Sequence, residues 1–330
     1  MAFIPFENPF CAPGRWWKGN LHTHTTVSDG ELSPAAAAAA YRRLGYDFLA
    51  ITDHLRVCKP FEPPPGLLLF YGAEYHTFSS DAFGLRAWHL VCLGLKGPVL
   101  SPGAWSRNQC PPLPELVASI RENAGFFSVA HPYWSNMVED DLLIAEGAQA
   151  LEVYNGGCEQ MIDRGVSEHP WDYVLACGKR LNALAVDDMH HPSDVGLGWV
   201  MLRAEKLSLD VLLDALSKGL YYSTTGPEIF DLRVDDRSTS PGAADSSKGS
   251  VVSVRCSPAR SIKFMARSAD GKCFCARDGE LLSSAEYEIH GTETYLRVQV
   301  EDAAGRRAWT NPLYLEKSAS PTQSKHETGK

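Results

Sequence analysis

Between residues 20 and 190 this sequence ends one short apolar run after another on a histidine or a carboxylate. Asn20-Leu21-His22-Thr23-His24 leads to Asp29, and Phe48–Thr52 runs into Asp53-His54. Leu67–Tyr71 leads to Glu74, and His89 opens the run to Leu95. Phe126–Ala130 ends in His131, and Asn182–Val186 ends in Asp187-Asp188-Met189-His190. Continuous apolar runs of this length suit parallel strands buried on both faces. Helix signals lie between them. Ser33-Pro34 before a run of alanines is an N-cap, a proline at the first helical position and a strong helix former, closed by Gly45. Pro114–Asn123, Asp140–Glu146, Pro170–Cys177 and Leu209–Leu216 also read as helices, with further strands at Ala150–Tyr154 and Trp199–Arg203. Sustained strand–helix alternation predicts a parallel α/β fold. Metal-type residues recurring just after the strands predict a closed, TIM-like (β/α) barrel with one site on its C-terminal face.

In a strand, side chains at i and i+2 share a face, so His22 and His24 can hold one metal ion between them. Asp29 falls on the following turn, where a carboxylate can swing toward a neighbouring ion. The full candidate ligand set is His22, His24, Asp29, His54, Glu74, His89, His131, Asp188 and His190. Imidazole and carboxylate donors suit zinc, iron or manganese. Nine donors exceed one tetrahedral site, which implies two or three divalent ions.

Past Gly226-Pro227 the period changes to two. Val252, Val254 and Cys256 alternate with polar residues, as do Ile262 and Phe264, and Leu296, Val298 and Val300. That pattern indicates half-exposed antiparallel strands. The expected organisation is a metallohydrolase barrel over 1–227, a small β-sandwich over 228–317 and a disordered tail over 318–330, with a long loop at Arg237–Gly249. Cys273 and Cys275 read as two strand residues.

A formal net charge of −9 argues against nucleic-acid binding, which needs basic surface. No apolar run reaches the ~18 residues of a membrane span, and Met1–Pro13 lacks the marks of a secretory signal. Nine cysteines without a paired framework fit a reduced, cytoplasmic protein.

The same residues carry a family resemblance. His-x-His followed by Ser-Asp-Gly, Ile-Thr-Asp-His at 51–54, Glu74, Ala-His-Pro at 130–132 and Asp-x-His at 188–190 match, in order, motifs of the PHP (polymerase and histidinol phosphatase) metallohydrolases. Three further stretches are similar to the CehA/McbA-like branch: Trp-Lys-Gly-Asn-Leu-His-Thr-His-Thr, Tyr-Tyr-Ser-Thr-Thr-Gly-Pro at 221–227 and Ala-Trp-Thr-Asn-Pro at 308–312. The resemblance covers about residues 16–226 and implies the distorted seven-stranded form of the barrel. It implies one ion held by His22, His24, Glu74 and Asp188. Glu74 would bridge to a second, also held by His89 and His131, and a third would lie among Asp29, His54 and His190. Some family members have histidine at the Asp29 position.

Clustered dications acidify a bound water, giving a hydroxide nucleophile, and polarise the scissile group. The expected activity is hydrolysis of a small phosphorylated or cyclic-phosphate molecule, with Glu74, Asp188 and His190 as catalytic residues. Lys18 and Arg56, beside the first two motifs, are the expected substrate-binding cations. Asp53 would orient a ligand histidine, and His191 or His76 would serve as general acid. The alternatives are amide, ester or carbamate hydrolysis at the same centre, or a non-catalytic metal-stabilised module. Selectivity is expected in loops 55–66, 96–112 and 155–170.

Overall fold

The computed structural model describes residues 3–81, 84–100, 110–235, 249–277 and 279–315. The expected tail, most of the expected loop at Arg237–Gly249 and part of loop 96–112 lie outside the described residues. The fold is mixed α/β, with many strands and few helices. In chain order the elements are β1 (Arg15–Asn20), α1 (Pro34–Arg43), β2 (Phe48–Ile51), β3 (Leu68–Tyr71), β4 (Ala73–Asp81), β5 (Gly84–Leu93), α2 (Leu113–Asn123), β6 (Phe126–Val129), α3 (Glu139–Ile144), β7 (Ala150–Asn155), α4 (Gly156–Ile162), α5 (Glu168–Ala176) and β8 (Asn182–Val186). β9 (Trp199–Ala204), α6 (Leu209–Ser217) and β10 (Tyr221–Thr224) complete the first part. The remainder is β11 (Ile229–Asp235), β12 (Val251–Ala259), β13 (Ser261–Ala266), β14 (Gly271–Cys275), β15 (Leu282–Glu288), β16 (Tyr295–Glu301), β17 (Arg307–Thr310) and β18 (Leu313–Tyr314).

Among the described residues, five of the six α-helices form where local signals predict them; α4 instead occupies part of the stretch 155–170 expected as loop. At α1, Ser33 Oγ accepts from the Ala36 amide, Pro34 opens the helix, and Ala37, Ala38 and Tyr41 pack against Leu49 and Ile51 of β2. Gly45 follows with φ +78°, as a helix-terminating glycine should.

The strands make three sheets and not a closed barrel. One runs β14-β13-β16-β17-β10-β9-β1-β2-β3, with β18 on β16; a second is β4-β5-β6-β7-β8; a third is β11-β12-β15. β1, β2 and β3 are parallel, as are β6, β7 and β8, but β4–β5 and β5–β6 are antiparallel. The chain changes sheet at Gly72. Its amide still donates to Ile51 of the first sheet, and a Cβ there would lie 2.4 Å from the Cys92 carbonyl oxygen of the second. Only glycine admits that approach.

The edge of β8 explains why the ladder does not close. The Ser223 hydroxyl of β10 accepts from the Ala185 amide and donates to the Ala183 carbonyl, while Asn311 Oδ1 accepts from the Ala183 amide. Side chains therefore satisfy groups that a neighbouring strand would otherwise pair. Both belong to the motifs at 221–227 and 308–312, whose role here is architectural. At the opposite end the two larger sheets touch through two isolated parallel bridges, Thr23 with Met189 and His54 with Glu74. Every residue in those bridges is a candidate ligand or the immediate neighbour of one.

Between the large sheets lies an apolar core that includes Trp17, Phe48, Phe70, Phe126, Val186 and Leu202. The outer face of β4–β8 packs under α2, α3 and α5. The three-stranded sheet packs on β13 and β16 through Val252, Val254, Phe264 and Val298. The two parts nonetheless share the ten-stranded sheet. No helix of the described residues is long and apolar enough to cross a membrane.

Candidate metal centre

All nine predicted ligands come to one place, most of them at or just beyond strand ends, but His89, expected to open its strand, comes from within β5. After β1 the backbone threads between two neighbours: Thr23 exchanges hydrogen bonds with Thr52, His24 donates to the Met189 carbonyl, and Asp188 donates to the His22 carbonyl. That clamp turns both imidazoles inward, fully buried, with their Nε2 atoms 3.0 Å apart. Two bare ring nitrogens at that distance repel unless a proton or a cation lies between them.

Glu74 sits in the middle. Its Oε1 is 2.8 Å from His89 Nδ1 and 3.3 Å from His131 Nε2. Its Oε2 is 3.0 Å from His54 Nδ1, 3.3 Å from His24 Nε2 and 3.5 Å from His22 Nε2. Glu74 and His89 meet because β4 and β5 form one antiparallel hairpin, with Glu74 opposite Val91 and His76 opposite His89. Asp188 Oδ1 lies 3.1 Å from His24 Nε2 and 3.2 Å from His22 Nε2, yet is buried without a hydrogen-bond partner. Nitrogens that close but off the hydrogen-bond line leave an oxygen that a shared cation would satisfy. Asp29 forms the third arm, 3.6 Å from His24 Nδ1, 3.6 Å from His190 Nε2 and 3.7 Å from His54 Nε2, with its side chain 44% exposed.

Three donor groups result: His22, His24 and Glu74; His54, Glu74 and His89; and His24, Asp29, His54 and His190. All are nitrogen and carboxylate oxygen, the donor chemistry of zinc, manganese or iron. The residues therefore fit divalent ions. The grouping differs from the expected one in giving His24 and His54 two roles, one for each ring nitrogen, and in leaving His131 and Asp188 outside all three groups.

The protonation pattern follows from the crowding. Burial works against charge on His24, but the adjoining Asp188 and Glu74 carboxylates hold its pKa up at about 9. Burial likewise opposes charge on Glu74, while His54, His89 and His22 hold it well below the usual carboxylate range. Desolvation, reinforced by His24 and His89, pushes His54 down to about 3, which keeps it as the neutral imidazole that binds metal.

Several supporting residues escaped the sequence reading. Glu152, in the middle of β7, takes a 2.6 Å hydrogen bond from His22 Nδ1 through Oε1, and the His131 amide donates to its Oε2. Asn155 Nδ2 donates to both Glu152 Oε2 and Asp188 Oδ2. Ser135 Oγ is 2.9 Å from His131 Nδ1. The available signal was a glutamate inside an otherwise apolar strand. Asp53, expected to orient a histidine, instead shapes the Asp29 turn. It accepts from the amides of Thr25 and Ser28 and from both their hydroxyls. Asp187 similarly gathers the amides of Gly196, Leu197 and Gly198. His131 and Asp188 have φ of +28° and +50°, conformations that cost energy in non-glycine residues and concentrate at functional sites.

A cavity of about 460 Å³ opens over the cluster, lined by Asp29, His54, His89, His131, Asp188 and His190 on its floor and by Trp134, Cys158, Met161 and His191 higher up. The expected substrate cations are not there. Lys18 Nζ donates to the Leu44 carbonyl and lies 4.1 Å and 4.3 Å from the ring centroids of Tyr46 and Trp199. It lines a separate cavity with Met201, Tyr222 and Arg306. A strand advances about 3.3 Å per residue, so four residues set Lys18 roughly 13 Å down the chain from His22. Arg56 is exposed and outside the lining. His191 is at the rim, its Nδ1 2.8 Å from Glu31 Oε1. His76 is buried behind His89 and outside the lining, and desolvation together with the charge on His89 lowers its pKa to about 4.

No protein-family model matches the chain, and no curated protein matches it. Among solved structures it is similar to a two-domain protein from Bacteroides vulgatus described as containing a predicted PHP-like metal-dependent phosphoesterase. The identity is 15% over 91% of this chain and 94% of that one, with a TM-score of 0.48. It is similar to an amidohydrolase from Chromobacterium violaceum at 18% identity, over 53% of this chain and 88% of that one, with a TM-score of 0.40. It is also similar to a lesion-specific endonuclease from Pyrococcus furiosus at 14% identity, over 62% of this chain and 56% of that one, with a TM-score of 0.40.

Proposed function

We propose that this chain is a PHP-type metal-dependent hydrolase of the CehA/McbA-like kind, acting on a small phosphoester. In this reading residues 1–227 form the catalytic unit, built as an opened version of the seven-stranded barrel, and 228–317 form an accessory sandwich. All nine cysteines are free, in keeping with a reducing, cytoplasmic setting.

The observation that carries the reading is the double engagement of Glu74. One carboxylate oxygen faces His89 and His131, and the other faces His22, His24 and His54. A carboxylate so placed suits a bridge between ions. His22, His24, Glu74 and Asp188 would hold one ion, Glu74, His89 and His131 a second, and Asp29, His54 and His190 a third. Bound there, divalent ions supply Lewis acidity and an acidified water, the chemistry of in-line phosphoryl displacement.

The chain's own residues do the rest. Glu152 keeps the His22 proton on Nδ1, so that Nε2 stays free as a donor to metal. Glu74, Asp188 and His190 are the residues on which turnover depends. His191, with Nδ1 engaged by Glu31, has Nε2 left to pass a proton to a leaving oxygen at the rim.

One observation favours a second reading, hydrolysis of a neutral ester, amide or carbamate: among the described residues no lysine or arginine lines the cavity. The test is a panel of phosphomonoesters, phosphodiesters and aryl carbamates offered to protein loaded with zinc or manganese. Phosphoester turnover with competitive inhibition by inorganic phosphate supports the first reading. Carbamate turnover far above every phosphoester, with no effect of phosphate, replaces it with the second.

A further inference from the structure

The cavity has two unlike halves. Its floor is the ring of imidazoles and carboxylates, and above it Trp134, Cys158 and Met161 share the wall with Gln160, His191, Ser193 and Asp194. Trp134, on the turn after His131, lies 4.9 Å from the His131 ring and 5.9 Å from the His89 ring, centroid to centroid, in edge-on contact. An atom bonded to a group reacting over those histidines is therefore within reach of the indole. Across from it, α4 contributes Cys158 and Met161. Met161 is 61% exposed. Single exposed apolar residues are ordinary, but Trp134 and Met161 line one cavity together.

The polar groups of the wall do not suit a sugar or a nucleotide. Gln160 Nε2 is directed to the Ser193 carbonyl at 3.5 Å, and Asp194 is occupied by the amides of His190 and His191. Arg164 lies over the Tyr133 ring at 5.4 Å and outside the lining. A polyhydroxylated or multiply charged group placed against Trp134 and Met161 would lose water without replacement hydrogen bonds. An aryl or alkyl group would lose nothing, and methionine adapts to such surfaces.

Resting on the hydrolase reading above, we infer that the substrate's organic part is an uncharged aryl or branched alkyl group held between Trp134 and Met161. These two residues set specificity, and the metal-ligand floor sets chemistry.

The test uses the full chain loaded with zinc or manganese. Binding of phenylphosphonate and methylphosphonate, which have no hydrolysable ester, is measured by calorimetry, and kcat/KM is measured for benzyl acetate and methyl acetate, whose leaving alcohols are of similar acidity. We expect the aryl member to be preferred by about tenfold or more. The preference should fall about threefold or more in Trp134→Ala and in Met161→Gln. Trp134 touches ligand histidines, so metal content is measured alongside; Met161 is exposed on α4 and keeps the test independent of metal loss. An aryl preference in the acetate pair with no binding of either phosphonate would uphold this inference and remove the phosphoester reading. The absence of an aryl preference in both pairs, or a preference unchanged by both substitutions, overturns it.

Discussion

His22 donates from Nδ1 to Glu152 Oε1 at 2.6 Å, and both side chains are buried. The bond decides which nitrogen of His22 faces His24, Glu74 and Asp188. Glu152 also accepts from the His131 amide, and Asn155 links it to Asp188. Glu152→Gln should therefore lower metal affinity about 10–100-fold while leaving the other ligands in place. Competition against a graded chelator series measures this; unchanged affinity would show the contact to be structural only.

Glu74 is fully buried and has candidate-ligand imidazoles within 3.5 Å of both oxygens. The wild-type chain purified without chelator should carry at least about two equivalents of zinc, manganese or iron. Glu74→Gln should lose most of that metal and nearly all turnover, with the circular dichroism spectrum retained. Elemental analysis decides it, and full metal content in the variant would remove the bridging role.

Asp53 accepts four hydrogen bonds from Thr25 and Ser28, the turn that presents Asp29. An amide has one acceptor oxygen where a carboxylate has two. Asp53→Asn should cost about 1–3 kcal/mol in stability and should selectively weaken the Asp29–His54–His190 group. Denaturant unfolding and metal stoichiometry, measured on one preparation, check both halves of that expectation.

Lys18 sits against Tyr46 and Trp199, away from the catalytic cavity. Lys18→Met should leave KM within about twofold for every substrate, because it removes no contact with the reacting group. Cation–π contacts of this kind contribute about 0.5–2 kcal/mol, so a lower melting temperature is the expected effect. A large rise in KM confined to phosphorylated substrates would return Lys18 to the site.

The C-terminal sandwich should be acid-sensitive through Glu293. Burial alone would raise its pKa, but the amides of His290 and Gly291 and the Tyr287 hydroxyl hold it below the ordinary value of 4.5. A carboxyl whose folded pKa is depressed contributes stability above its unfolded pKa and loses it as pH falls through the folded value. Unfolding free energy should thus decline below about pH 4.5, and Glu293→Gln should flatten that decline. Denaturant melts at pH 3.5, 4.5 and 7, values chosen to bracket about that pKa, provide the comparison.

The sequence by itself determined the candidate cluster. Short apolar runs must be buried strands, and in parallel strands the polar residues that follow collect at one edge, so His22, His24, His54, His131, Asp188 and His190 were legible from pattern alone. The helix at Pro34 and the change to period two after Gly226 were legible for the same reason, because both are local. Only the tertiary structure decided the rest. The β4–β5 hairpin that sets Glu74 beside His89, the side-chain pairing of Ser223 and Asn311 along β8 and the seating of Lys18 between two aromatic rings all depend on contacts between distant segments. Glu152 illustrates the limit. A carboxylate inside the β7 run is visible in the sequence, but whether it is an unpaired charge or the partner of His22 Nδ1 depends on a strand 130 residues away. Periodicity reports which way a side chain leaves its own strand; what it meets there is decided by how the sheets are assembled.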